Sequence, residues 1–225
     1  MIGDRHGNFR PSHSITRAEV AAIMTRTQLF NFETGVRGFP EGMTRQPFSD
    51  VRNTHWAYYY IAWAADAGFI LGDMGTTNFR PNAPITRQEL AAIITRVSTE
   101  SGQAYVGIST FPDRENASDW AQIYLYTVQR EGLMIGGMGN WFRPRDNITR
   151  AETATVVNRL LGRFDSLTAW DAAEHENAIV VTFPDMVRPR RWYYPAVVAA
   201  TNDHYLTRGE DGRIDWVEYR ARPAS

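Results

Sequence analysis

Three arginines, Arg17, Arg87 and Arg150, recur in one setting: Ile-Thr-Arg-Ala-Glu at Ile15–Glu19 and Ile148–Glu152, and Ile-Thr-Arg-Gln-Glu at Ile85–Glu89. Thr-x-x-Glu ahead of an apolar run is a capping box, in which the threonine accepts from a first-turn N–H and the glutamate reaches back. Each cap contributes about 1 kcal/mol. That explains Thr16, Thr86, Thr149, Glu19, Glu89 and Glu152 as structure and leaves the arginine over. It falls at the first helical position, where the helix dipole presents roughly half a positive charge and disfavours a cation by up to about 1 kcal/mol. Two causes are open. The guanidinium pairs with a neighbouring acid or stacks on an aromatic ring, or it joins the helix N–H groups in receiving an anion. A charge-assisted pair with a carboxylate adds about 1.5–3 kcal/mol.

The elements that position these arginines repeat as well. Phe-x-Asp begins at Phe48, Phe111 and Phe183, and Phe-Arg-Pro at Phe9, Phe79 and Phe142. Phe48 to Phe79 and Phe111 to Phe142 are equally spaced. One full unit reads as a Phe-x-Asp turn, a first helix ending at Gly68, a glycine-rich loop, and a second helix opened by Thr86. Trp56, Tyr60, Trp63, Ala64 and Ala67 fall on one 3.6-period face of the first helix, and Leu90, Ile93, Ile94 and Val97 on one face of the second. The loop glycines Gly3, Gly72 and Gly136 let a ligand approach the backbone closely. The Asp50, Asp113 and Asp185 carboxylates fit turn or helix-dipole roles. The only strand candidate is 178–183, so the fold class expected is all-α.

The repeat divides the chain into 1–47 (the second half of a unit), 48–110 and 111–182 (full units), and 183–225 (a first half with a degraded tail). Two unpaired halves at opposite ends predict that helix 191–206 packs near helix 16–29. The terminal half-repeats would then close a single three-unit domain, because loop closure costs little more as the loop lengthens.

Phe-x-Asp, the helical tryptophan, the glycine loop, Phe-Arg-Pro and Ile-Thr-Arg-Ala-Glu together resemble the S-layer homology (SLH) family. The likeness spans 48–97 and 111–161 with a half at each end. It implies three helix-loop-helix repeats in a pseudo-threefold arrangement, and a non-catalytic module that anchors exported proteins to the bacterial cell wall. The implied partner is an anionic, pyruvylated secondary cell-wall polysaccharide, or in other lineages amine-modified peptidoglycan. The implied contacts are Arg17, Arg87 and Arg150, with the tryptophans Trp56, Trp120 and Trp192 against the sugar. Core packing is the competing role for those tryptophans. Gln88 stands where the family has alanine, and His204 and Arg208 replace glycines in the last half. The site combining that half with the first is therefore the one in question, with Gly3 and Arg17 able to supply it from the other end.

Other readings fall away. The 24 basic residues are all arginine and the net charge is −1, which argues against DNA or an anionic membrane as a bulk electrostatic partner. There is no cysteine, which excludes disulfides, thiolate metal sites and a cysteine nucleophile. No apolar run reaches the roughly 20 residues a membrane span needs, and the first residues are no signal peptide. An exported chain would thus be a mature piece, extracellular and monomeric in isolation. Residues 207–218 imitate an EF-hand loop, but Thr207 and Gly209 stand where oxygen ligands are required; a remnant of a glycine loop and helix fits better. His6, His13, His55, His175 and His204 have no metal-ligand spacing, 174–176 reads as a solvated stretch, and no cofactor motif is present. A protein-interaction module with an exposed apolar patch, and an accessory region of a larger wall enzyme, remain as alternatives.

Overall fold

The computed structural model describes residue 1 and residues 3–29, 46–99, 102–162, 183–186, 191–201, 204–208 and 214–219. Its α-helices are α1 (Arg17–Leu29), α2 (Tyr58–Asp66), α3 (Arg87–Ser98), α4 (Gln122–Arg130), α5 (Arg150–Leu160) and α6 (Tyr194–Thr201). The repeat body is all-α, as expected. The chain forms two compact units, Ser14–Ile148, and Met1–His13 together with Thr149–Ser225.

All three capping boxes form. The Thr16, Thr86 and Thr149 hydroxyls accept from the Glu19, Glu89 and Glu152 amides at 3.2, 3.4 and 3.2 Å, and each glutamate accepts from its threonine amide. Arg17, Arg87 and Arg150 accordingly open their helices. Leu90, Ile93 and Ile94 are buried on α3 as the period predicts. The α2 face is phased differently. Ala57, Tyr58, Ile61 and Ala64 are buried, while Trp56 and Ala67 are exposed. The helix starts at Tyr58, so Trp56 lies ahead of its first turn. Gly68, at φ 76°, ends α2 in the left-handed conformation that glycine adopts without strain.

Helix pairing is offset from the sequence repeat by half a unit. Helix α1 packs on α2 and α3 on α4 in the Ser14–Ile148 unit, and α5 packs on α6 in the other. Each of α1 and α6 thus has a helical partner within its own unit. The terminal halves do meet, through the opening loop. The Phe9 and Phe183 rings lie 5.4 Å apart, Phe9, Ala154, Phe183, Met186 and Val197 form one buried cluster, and the Met1 ammonium donates to the Ala200 carbonyl.

Two devices hold the loops. In the Ser14–Ile148 unit, Ile15, Ile85 and Ile148 are fully buried and close a ring: the Ile15 amide donates to Ile148, Ile85 to Ile15 and Ile148 to Ile85, at 3.0–3.1 Å. The other device is the Phe-x-Asp carboxylate. Asp50 accepts from the Phe79 and Arg80 amides, Asp113 from Phe142 and Arg143, and Asp185 from Phe9 and Arg10, at 2.6–2.9 Å. Arg10, Arg80 and Arg143 each have φ of 55–57°, a conformation that disfavours a Cβ-bearing residue; the carboxylate offsets that strain. These aspartates clamp a distant loop, which corrects their reading as turn or dipole residues.

The tail corrects another expectation. Instead of a remnant loop and helix, β1 (His204–Arg208) pairs antiparallel with β2 (Ile214–Tyr219), with a bulge between Tyr205 and Leu206. The strand candidate 178–183, apart from Phe183, and the stretch 174–176 lie outside the described residues.

Candidate functional site

Each arginine reaches from its helix start to a glycine loop in the same compact unit. Arg17 Nε donates to the Phe79 carbonyl at 2.6 Å, Arg87 to Phe142 at 2.5 Å and Arg150 to Phe9 at 2.8 Å. Each guanidinium also lies over the ring of that same phenylalanine, 4.8–5.0 Å from its centroid, at cation–π distance. Arg17 and Arg87 are 5% exposed and Arg150 is half-buried. The Arg17 fork continues to Glu89 at 2.7 Å, with Asp73 at 3.9 Å. Burial pushes the Arg17 pKa below its usual value while Glu89 pulls the other way. Arg87 donates further to the Ile135 carbonyl at 3.1 Å. The loop at residues 3–10 is thus held by Arg150, and Arg17 holds the loop ending at Phe79.

The helix N-termini are also occupied. The first two amides of α1 donate to Ala83 and Pro81, those of α3 to Asp146 and Pro144, and those of α5 to His13 and Pro11. With the third amide taken by the threonine cap, the idea of open helix N–H groups waiting for an anion is overturned. What sequence reasoning lacked was the turn after Phe-Arg-Pro, which docks its carbonyls onto these amides.

The loop glycines make room for the fold itself. A Cβ at Gly72, φ 71°, would stand 2.6 Å from a Phe48 ring carbon and 2.7 Å from the Asn78 carbonyl oxygen; at Gly3 it would meet the Phe183 ring at 2.7 Å and at Gly136 the Asn140 backbone at 2.3 Å. Each loop curls against the ring of a Phe-x-Asp motif or back on itself, so these three positions owe their glycine to packing.

The tryptophans are in solvent. Trp56 is 57%, Trp120 39% and Trp192 55% exposed, so core packing is not their role. His55, stacked on Trp56, lies 3.3 Å from Asn82, in the turn whose carbonyls receive the α1 amides. Trp120 follows Ser118, which is bound to α3 through Gln88.

The family model of the S-layer homology domain matches residues 47–91 and 110–154. The chain belongs to the S-layer homology family. It is 35% identical over 156 residues to an amylopullulanase of Thermoanaerobacterium thermosulfurigenes, covering 68% of this chain and 8% of that protein. It is 31% identical over 175 residues to a surface-layer 125 kDa protein of Lysinibacillus sphaericus, covering 76% and 14%. With a cellulosome-anchoring protein of Acetivibrio thermocellus it shares 28% over 213 residues, covering 94% and 44%. The chain spans less than half the length of each of these relatives. The match to the enzyme-named relative is confined to a small part of it.

Within these S-layer homology repeats, Gln88 is the informative departure. It is buried and grips Ser118 twice: its carbonyl accepts from the Ser118 amide at 3.0 Å and its amide donates to the hydroxyl at 3.2 Å. The corresponding residues Ala18 and Ala151 have no side chain able to do this. Nothing in the sequence around Gln88 names Ser118 as its partner. Among the described residues no group of three His, Asp or Glu could hold a metal ion, and no helix is long and apolar enough to cross a membrane.

Proposed function

We propose that this chain is a non-catalytic anchoring module, exported to the bacterial cell surface, that binds an anionic secondary cell-wall polysaccharide, with a pyruvate ketal as the recognised charge. The observation that carries the reading is the exposure of Trp56, Trp120 and Trp192, one per repeat. A large indole is left in solvent where the fold does not require it, and an aromatic face suits the C–H face of a sugar ring. The arginines supply the second half. Arg17, Arg87 and Arg150 are held rigidly against their loops, so little side-chain entropy is lost if a carboxylate joins the same charge network. In this reading Gly3, Gly72 and Gly136 shape the loops rather than touch the glycan. The names of the cellulosome-anchoring and surface-layer relatives support wall anchoring, and amine-modified peptidoglycan is the competing wall ligand. Three modest sites on one polymer would give avidity wherever geometry lets them engage together.

The test is the variant Trp56→Ala/Trp120→Ala/Trp192→Ala. It is expected to keep its helical circular dichroism, since exposed side chains contribute little to stability, and to lose co-sedimentation with purified cell walls. A folded triple variant that sediments like the parent would remove the main support. A protein-binding role is favoured by one observation, the exposed Tyr105, Val106 and Ile108; a triple variant that still sediments while substitution of these three releases it would favour that role instead.

A further inference from the structure

We infer that the loop sites are unequal, and that the site built by Arg87, the 136–144 loop and Trp120 is the one that takes the anionic group, because residue 137 is glycine where the other two loops carry an aspartate. The inference rests on the anionic-glycan reading above.

The three loops share one backbone scaffold. The Asp4 amide donates to Asn8, Asp73 to Asn78 and Gly137 to Trp141, at 2.8–2.9 Å; the Asp4, Asp73 and Gly137 carbonyls in turn accept from Gly7, Thr76 and Asn140. Positions 4, 73 and 137 are therefore structurally equivalent, and only the side chain differs.

That side chain decides the local charge. Asp4 pairs with Arg10. Asp73 takes two donors from Arg80 and lies 3.9 Å from Arg17. Hydrogen bonding from Arg80 holds the Asp73 carboxyl below the usual carboxylate range, so it is ionised at neutral pH. A pyruvate carboxylate arriving at this loop would meet a carboxylate already placed on the same guanidinium groups. At the Arg87 loop position 137 brings no carboxylate, and Arg143, the counterpart of Arg80, pairs with Asp146 at 4.0 Å.

A second departure falls in the same place. Gln88, next to Arg87, ties Ser118 to the start of α3 and so fixes the chain two residues before Trp120. Neither feature has a counterpart at α1 or α5, where the neighbouring residues are Ala18 and Ala151.

The experiment measures affinity of the full chain for a purified wall polysaccharide bearing pyruvate ketals, and for the same polysaccharide after mild acid removal of pyruvate. The variants are Gly137→Asp, Gly137→Asn and Asp73→Gly. Gly137 has φ −79° and a Cβ there would come no nearer than 3.9 Å to its closest neighbour, so both substitutions fit. Gly137→Asp is expected to weaken binding to the pyruvylated polymer by about tenfold or more through like-charge repulsion. The uncharged Gly137→Asn should bind like the parent, and Asp73→Gly should bind as well or better. Parent-like binding by Gly137→Asp, or equal loss in Gly137→Asp and Gly137→Asn, would overturn the inference while leaving the anchoring reading intact. A parent chain that binds both polymers alike would overturn the anionic reading and this inference with it.

Discussion

Arg17→Ala is expected to lower unfolding free energy by about 3–5 kcal/mol, the range for breaking a buried ion pair from one side. The alanine leaves the Phe79 carbonyl without its 2.6 Å donor, Glu89 without its 2.7 Å partner and the Phe79 ring without its covering cation. Glu89, only 19% exposed, then keeps its capping-box bonds and a longer 3.3 Å pairing with Arg80. Arg17→Lys keeps the charge but cannot present two donors in the planar fork that spans a carbonyl and a carboxylate, so an intermediate loss is expected. Chemical denaturation of the two variants checks the ranking. An Arg17→Ala chain as stable as the parent would mean that the guanidinium is not the clip described here.

The second large effect is at Asp113. It is 4% exposed and accepts from two amides, Phe142 and Arg143. Bonds to an ionised acceptor are worth about 1.5–3 kcal/mol, and a buried donor left without a partner adds its desolvation penalty. Asp113→Ala also leaves Arg143, at φ 57°, with nothing to offset a backbone conformation that disfavours side chains by about 1–2 kcal/mol. A loss of about 3–4 kcal/mol is expected in urea unfolding, with Asp113→Asn between the two because it keeps one acceptor oxygen. Asp50 and Asp185 make the same pair of bonds from exposed positions, where water can replace the lost acceptor, so their alanine variants should lose less. Equal losses at all three aspartates would contradict the role given to burial.

What the sequence disclosed follows from the range of each interaction. The caps at Thr16, Thr86 and Thr149 were legible because both partners lie within one turn. The α3 face was legible because period fixes which residues are buried. Period does not say against what, and so the offset pairing of α1 with α2 and α5 with α6 was not foreseen. The Asp113–Phe142 clamp joins residues 29 apart; its trace in the sequence was the constant spacing of Phe-x-Asp and Phe-Arg-Pro. The arginines illustrate both sides. Their conflict with the helix dipole signalled a partner outside the helix, and the structure supplies a carbonyl and an aromatic ring for each. The amides of those helix starts are covered by a turn that periodicity could not place. The tryptophans were ambiguous because a helical phase extended two residues too far made Trp56 look like core.

The central proposal is that tryptophans in solvent and arginine-braced loops together recognise a negatively charged wall glycan. The most direct measurement is co-sedimentation of the full chain with purified cell walls before and after their pyruvate is removed. The account predicts that the chain pellets with the untreated walls and stays in solution with the treated ones. Equal recovery in both pellets would contradict it.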